Sequence, residues 1–150
     1  MEKNKFKYIL DEEISPMVPE ELLDEYNDIM NNELRTVLRA NSIRRYLEGI
    51  IELFIKNNIL NNMRISQNDW DKKDLFNKIK IIGQYYDCEI KNKFHQIRIV
   101  GNKGSHFGSN VGEEEINKSI LIINNIFEYL IIEYFKRHTF GTVAHVLIPL

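Results

Sequence analysis

An apolar stripe near the C-terminal end leaves this chain few folds to adopt. Ile116, Ile120, Ile123, Phe127, Leu130 and Tyr134 recur at three- and four-residue steps, which a helix alone gathers onto one side. Gly112 precedes it, and Glu113, Glu114 and Glu115 sit where the positive end of a helix dipole favours carboxylates. The spacing predicts a helix over residues 112–137. A second stripe, Ala40, Ile43, Leu47, Ile50 and Phe54, predicts another over 33–57, starting near Glu33 and ending in the asparagine-rich KNNILNN. There the asparagine side chains compete for backbone hydrogen bonds.

Shorter patterns fill in the rest. Pro19 opens a leading helix with Glu20 and Glu21 in its first turn and Leu22, Tyr26 and Ile29 on its apolar side. SQND has a weak capping-box form, and Leu75, Ile79, Ile82 and Tyr86 supply the stripe of the helix that follows. Asp87 can cap one more, whose buried side is Ile90, Phe94 and Ile97. The expected fold class is all-α: a bundle of about five helices, two antiparallel hairpins plus the leading helix, with a short extended C-terminal tail. Residues 1–17 read as an N-terminal arm, 18–138 as the helical domain and 139–150 as an apolar tail. That tail either docks on its own core or pairs with a second subunit.

Composition limits function. With 150 residues, 43% hydrophobic and 28% charged, the chain suits one soluble domain with a real core. A net charge of −2 means that nucleic-acid binding must come from a local patch. The single cysteine, Cys88, excludes an internal disulfide and reads as a small packed side chain near a helix start. No basic-then-apolar leader opens the sequence, and runs such as ILII and YLII fall well short of the ~20 residues of a membrane span. The expected location is the cytoplasm. His95, His106, His138 and His145 share no metal-ligand spacing with one another or with Cys88, and there is no phosphate-binding glycine loop, so neither metal nor cofactor is expected.

The stretch RIVGNKGSHFG, residues 98–108, holds the candidate site. On a helical projection Lys91, His95, Arg98 and Asn102 fall nearly opposite Ile90, Phe94 and Ile97, forming a polar ridge without acids. In an unbroken helix Arg98 and His106 would stand about 12 Å apart along the axis. Gly101 and Gly104 suggest an early stop or a tight bend that brings His106 back. A guanidinium that holds a phosphate and a histidine that exchanges protons are what metal-free phosphodiester cleavage needs.

Taken together, SIRRYLEGIIELF (residues 42–54), the second hairpin, IRIVGNKGSHFG and the acid-capped helix that follows resemble the HEPN superfamily. The closer similarity is to its branch with an R…GN…H signature, found alone or beside restriction and phage-defence proteins. The likeness spans roughly residues 20–136. It implies an all-α bundle that often dimerises with its signature turns facing each other. In active members these turns form a metal-independent endoribonuclease that uses the ribose 2′-hydroxyl. Asn102 and His106 match the active pattern, whereas Gly101 occupies its arginine slot and Arg98 lies one turn upstream.

Three readings follow. As a ribonuclease, His106 is the acid or base, Arg98 the phosphate clamp and Asn102 the orienting amide. As a non-catalytic RNA or nucleotide binder, the chain uses Lys91, His95, Lys103, Arg44 and Arg45 around the same turn. As an accessory or effector domain of a restriction, defence or toxin–antitoxin system, it is a homodimer with a protein partner, and Arg44, Arg45 and Glu48 form an ion-pair network with the turn. The accessory role is the expected one.

Overall fold

The computed structural model describes residues 18–105 and 110–137; the side chains of 105, 127 and 131–137 are not described. The N-terminal arm, His106 and the tail, with His138 and His145, lie outside the described residues. A 3-10 turn, Glu20–Leu22, leads into α1 (Leu23–Met30). Next come α2 (Thr36–Ile50), a π-helical segment (Ile51–Ile55) and α3 (Lys56–Met63). The short α4 (Gln67–Asp71), α5 (Leu75–Tyr85), α6 (Cys88–Ser105) and α7 (Glu113–Arg137) complete an all-α bundle, with no strand among the described residues.

Residue contacts fix the directions. Leu22 packs over Gly49, Tyr26 stacks on Tyr46 at 5.9 Å, and Arg39 bonds Ile29, so α1 and α2 run antiparallel. By the same logic α6 is antiparallel to α2, to α5 and to α7, and its most extensive contact is with α2.

The core follows the expected stripes. Ala40, Ile43, Leu47 and Ile50 of α2 meet Ile90, Phe94 and Ile97 of α6 and Ile116, Ile123 and Ile126 of α7, all buried. Asp87 caps α6 as expected, its Oδ1 accepting from the Ile90 N–H at 2.8 Å.

Two boundaries and the burial of one side chain differ from expectation. The helix begun at Thr36 does not stop in the asparagine run but continues to Met63, ending where Arg64 adopts a left-handed φ of 56°. Ile43, Leu47, Ile51, Ile55 and Ile59 are spaced four apart and all buried. In a regular α-helix each four-residue step drifts about 40°, so such a stripe would wind off the core. The wider π turn at Ile51–Ile55 takes up that drift. Secondly, Ser66 caps only the five-residue α4, its Oγ accepting from the Asp69 N–H at 3.0 Å; Asp74 then starts α5 separately. Thirdly, Cys88 is exposed rather than packed, because it stands in the first turn of α6 before the buried stripe begins at Ile90.

Arg39 is the largest departure from an apolar core. It is 1% exposed, with Nε donating to the Ile29 carbonyl at 2.7 Å and Nη1 to both Glu113 carboxylate oxygens at 2.9 and 2.8 Å. One guanidinium thus ties the last turn of α1 to the first turn of α7 through α2. Arg39→Ala should lower unfolding free energy in urea by roughly 2–4 kcal/mol, since it strands a buried carbonyl and leaves a cavity. A loss below about 0.5 kcal/mol, the scale of an exposed ion pair, would show that Arg39 holds nothing together.

Candidate functional site

Gly101 and Gly104 do not form a turn. The α6 helix runs unbroken through Gly101 and Gly104 to Ser105, so the expected early stop or bend is corrected. Both residues face α2. A Cβ on Gly101 would come within 2.7 Å of the Arg44 Cβ. One on Gly104 would meet the Asn41 Oδ1 at 2.7 Å, the Val37 carbonyl oxygen at 2.8 Å and the Asn41 amide nitrogen at 2.9 Å. Glycine normally weakens a helix interior. Here it lets two backbones meet closely.

Around this contact the polar residues pair across helices. The Arg44 Nη1 donates a hydrogen bond to the Asn102 Oδ1, while its Nε lies 3.4 Å from the Glu48 carboxylate. A guanidinium therefore stands beside Asn102, supplied by the neighbouring helix. Arg45 is exposed and reaches back to the buried Ser42 hydroxyl at 3.1 Å, and among the described residues it joins no ion pair of the expected network. Lys103 bonds Glu115 on α7 at 2.6 Å, and the other Glu115 oxygen accepts from the Gly112 N–H at 3.1 Å. Those two bonds, the Lys103 bond foremost, hold the Glu115 carboxyl below its ordinary value.

The expected polar ridge divides. Asn102 leaves it for the junction with α2, next to Lys103 at the junction with α7, whereas Lys91, His95 and Arg98 lie against α5. Arg98 stands over the Phe76 ring at 5.1 Å, and its Nε donates to the His95 Nδ1 at 3.2 Å. The His95 ring packs on Phe76 at 5.0 Å. Burial, then the charges of Arg98 and Lys91, lower the His95 pKa, which suits an imidazole that accepts a hydrogen bond. The folded protein thus holds this proton less tightly than the unfolded chain, so acidification through the histidine range costs stability.

Phe76, Arg39 and Glu115 were absent from the sequence-derived site, although two of them carry a signal. Phe76 is an aromatic out of phase with Leu75, Ile79 and Ile82, and Arg39 is a cation in phase with Ile43. Among the described residues no group of His, Cys, Asp and Glu could hold a metal ion, and no helix is long and apolar enough to cross a membrane.

These features define an all-helical domain whose central helix is locked to its neighbour by glycine contacts and an arginine–asparagine bond. The chain belongs to the DUF4145 family, a domain of unknown function, whose family model matches residues 24–142. Comparison with curated proteins and with solved structures finds no match.

The sign of one substitution tests the glycine contact. On an open helix face Gly→Ala stabilises by up to about 1 kcal/mol. Gly104→Ala should instead destabilise by roughly 1–3 kcal/mol in chemical unfolding, because backbone atoms must move. A more stable variant would show that α2 and α6 do not touch there.

Proposed function

We propose that this chain is a HEPN-like accessory domain of a prokaryotic defence, restriction or toxin–antitoxin system, acting in the cytoplasm as a homodimer beside a protein partner and without turnover of its own. The observation that carries this reading is the Arg44–Asn102 bond over Gly101. The asparagine that the resemblance assigns to catalysis serves to hold two helices together. Arg98, the intended phosphate clamp, leans on Phe76, and Lys103 is paired with Glu115. Self-association has apolar surface available: Ile99 and Leu121, on the neighbouring helices α6 and α7, are 50% and 65% exposed.

One observation favours a second reading as a metal-independent endoribonuclease. Arg44 is half-buried and already beside Asn102, so it could take the clamp role that Gly101 cannot fill, with His106 as acid or base. Incubating the purified chain with a mixed RNA pool in EDTA separates the two. The accessory reading expects intact RNA, and it expects Asn102→Ala to lower the melting temperature. Cleavage that leaves 2′,3′-cyclic phosphate ends and disappears in both His106→Ala and Arg44→Ala would replace it with the nuclease.

A further inference from the structure

The solvent side of the α5–α6 hairpin gathers cations around one exposed aromatic ring. On α5, Phe76, Lys80 and Gly83 follow at four- and three-residue steps and share a face. Gly83 gives room for the Lys91 stem: a Cβ there would lie 2.7 Å from the Lys91 Cβ and Cδ. Phe76 is 48% exposed and carries Arg98 and His95 against its ring. Alongside runs an open groove of about 450 Å³ lined by Lys72, Lys73, Asn77, Lys80, Ile81 and Gln84. Its single acid, Asp74, is engaged as the cap of α5, accepting from the Asn77 N–H at 2.9 Å and the Asn77 Nδ2 at 2.8 Å.

Lys72, Lys73, Lys80, Lys91 and Arg98 therefore lie on one face, and among the described residues none of them is in a salt bridge. The first helical turns of the domain collect the opposite charge, with Glu20, Glu21, Asp24 and Glu25. A net charge of −2 thus hides a strongly asymmetric surface. A row of unpaired cations beside an accessible ring suits a ligand with repeated negative charge and exposed flat faces. Duplexes keep their bases stacked inside, and a membrane surface would call for more apolar anchors than one ring.

We propose that the α5–α6 face binds a single-stranded nucleic acid, with backbone phosphates on Lys73, Lys80, Lys91 and Arg98 and a base stacked against Phe76. The face shares no residue with the Arg44–Asn102 contact, so its test stands apart from the nuclease assay. Fluorescence anisotropy of the full chain with a labelled oligouridylate of about 15 nucleotides reads the binding directly. Affinity should fall with added salt, log K losing about 0.7 per phosphate contact for each log unit of salt. Lys73→Glu combined with Lys80→Glu should weaken binding about tenfold or more at low salt, and Phe76→Ala about fivefold or more. Lys118→Glu, on the exposed side of α7, should leave it unchanged. All these positions but Phe76 are solvent-facing charges, and Phe76→Leu, which keeps the apolar contact but loses the ring face, should reproduce the Phe76→Ala loss. No saturable binding at low salt overturns the proposal, as does unchanged affinity in the lysine double variant. If duplex RNA binds as tightly as the single strand and both Phe76 variants behave as wild type, the face is a polyanion patch and the single-strand assignment is wrong.

Discussion

At Gly104 the backbone of α6 lies so near α2 that a methyl group would come within 2.8 Å of the Val37 carbonyl oxygen. That approach sets the distance between the two helices with the most extensive contact in the bundle. It brings Arg44 over Gly101 and within reach of Asn102, and buries Ile43, Leu47 and Ile50 in one core with Phe94 and Ile97. Farther along the same junction, Arg39 holds α1 and α7 to α2. Widening the separation by even a methyl group would disturb apolar packing and polar pairing together, because interiors are close-packed and relax only partly.

The two sides of α6 are built for different tasks. Toward α2 and α7 its polar groups are consumed: Asn102 by Arg44 and Lys103 by Glu115. Toward α5, Arg98 rests on the Phe76 ring and donates to the His95 imidazole, contacts that orient the guanidinium without cancelling its charge. Structural polarity and available charge are thus segregated along one helix. That separation is why the accessory role is proposed for the junction and anion recognition for the opposite face.

Much of the fold was legible because apolar spacing is a local signal with a direct physical meaning. The α7 stripe, the α2 stripe and the Asp87 cap all follow from it. What escaped depended on partners distant in sequence. Gly101 and Gly104 read locally as helix breakers, yet the facing backbone of α2 turns their lack of a side chain into a fit. The asparagine-rich run reads as a stop, but Ile59 is buried and carries the helix through it. Of the candidate site, Lys91, His95 and Arg98 do cluster, as helical geometry required. Asn102 leaves that cluster because Arg44, 58 residues earlier, bonds it. No spacing rule reports such a pairing.

Arg44 and Asn102 act as one unit holding α2 to α6. A double-mutant cycle on Arg44→Ala and Asn102→Ala, read by urea unfolding, measures that coupling with least interference from the rest of the junction. The interaction energy should be roughly 1–2 kcal/mol, the scale of a charge-assisted hydrogen bond in a partly buried setting. Losses that simply add, to within about 0.3 kcal/mol, would mean that the two residues are neighbours without being partners.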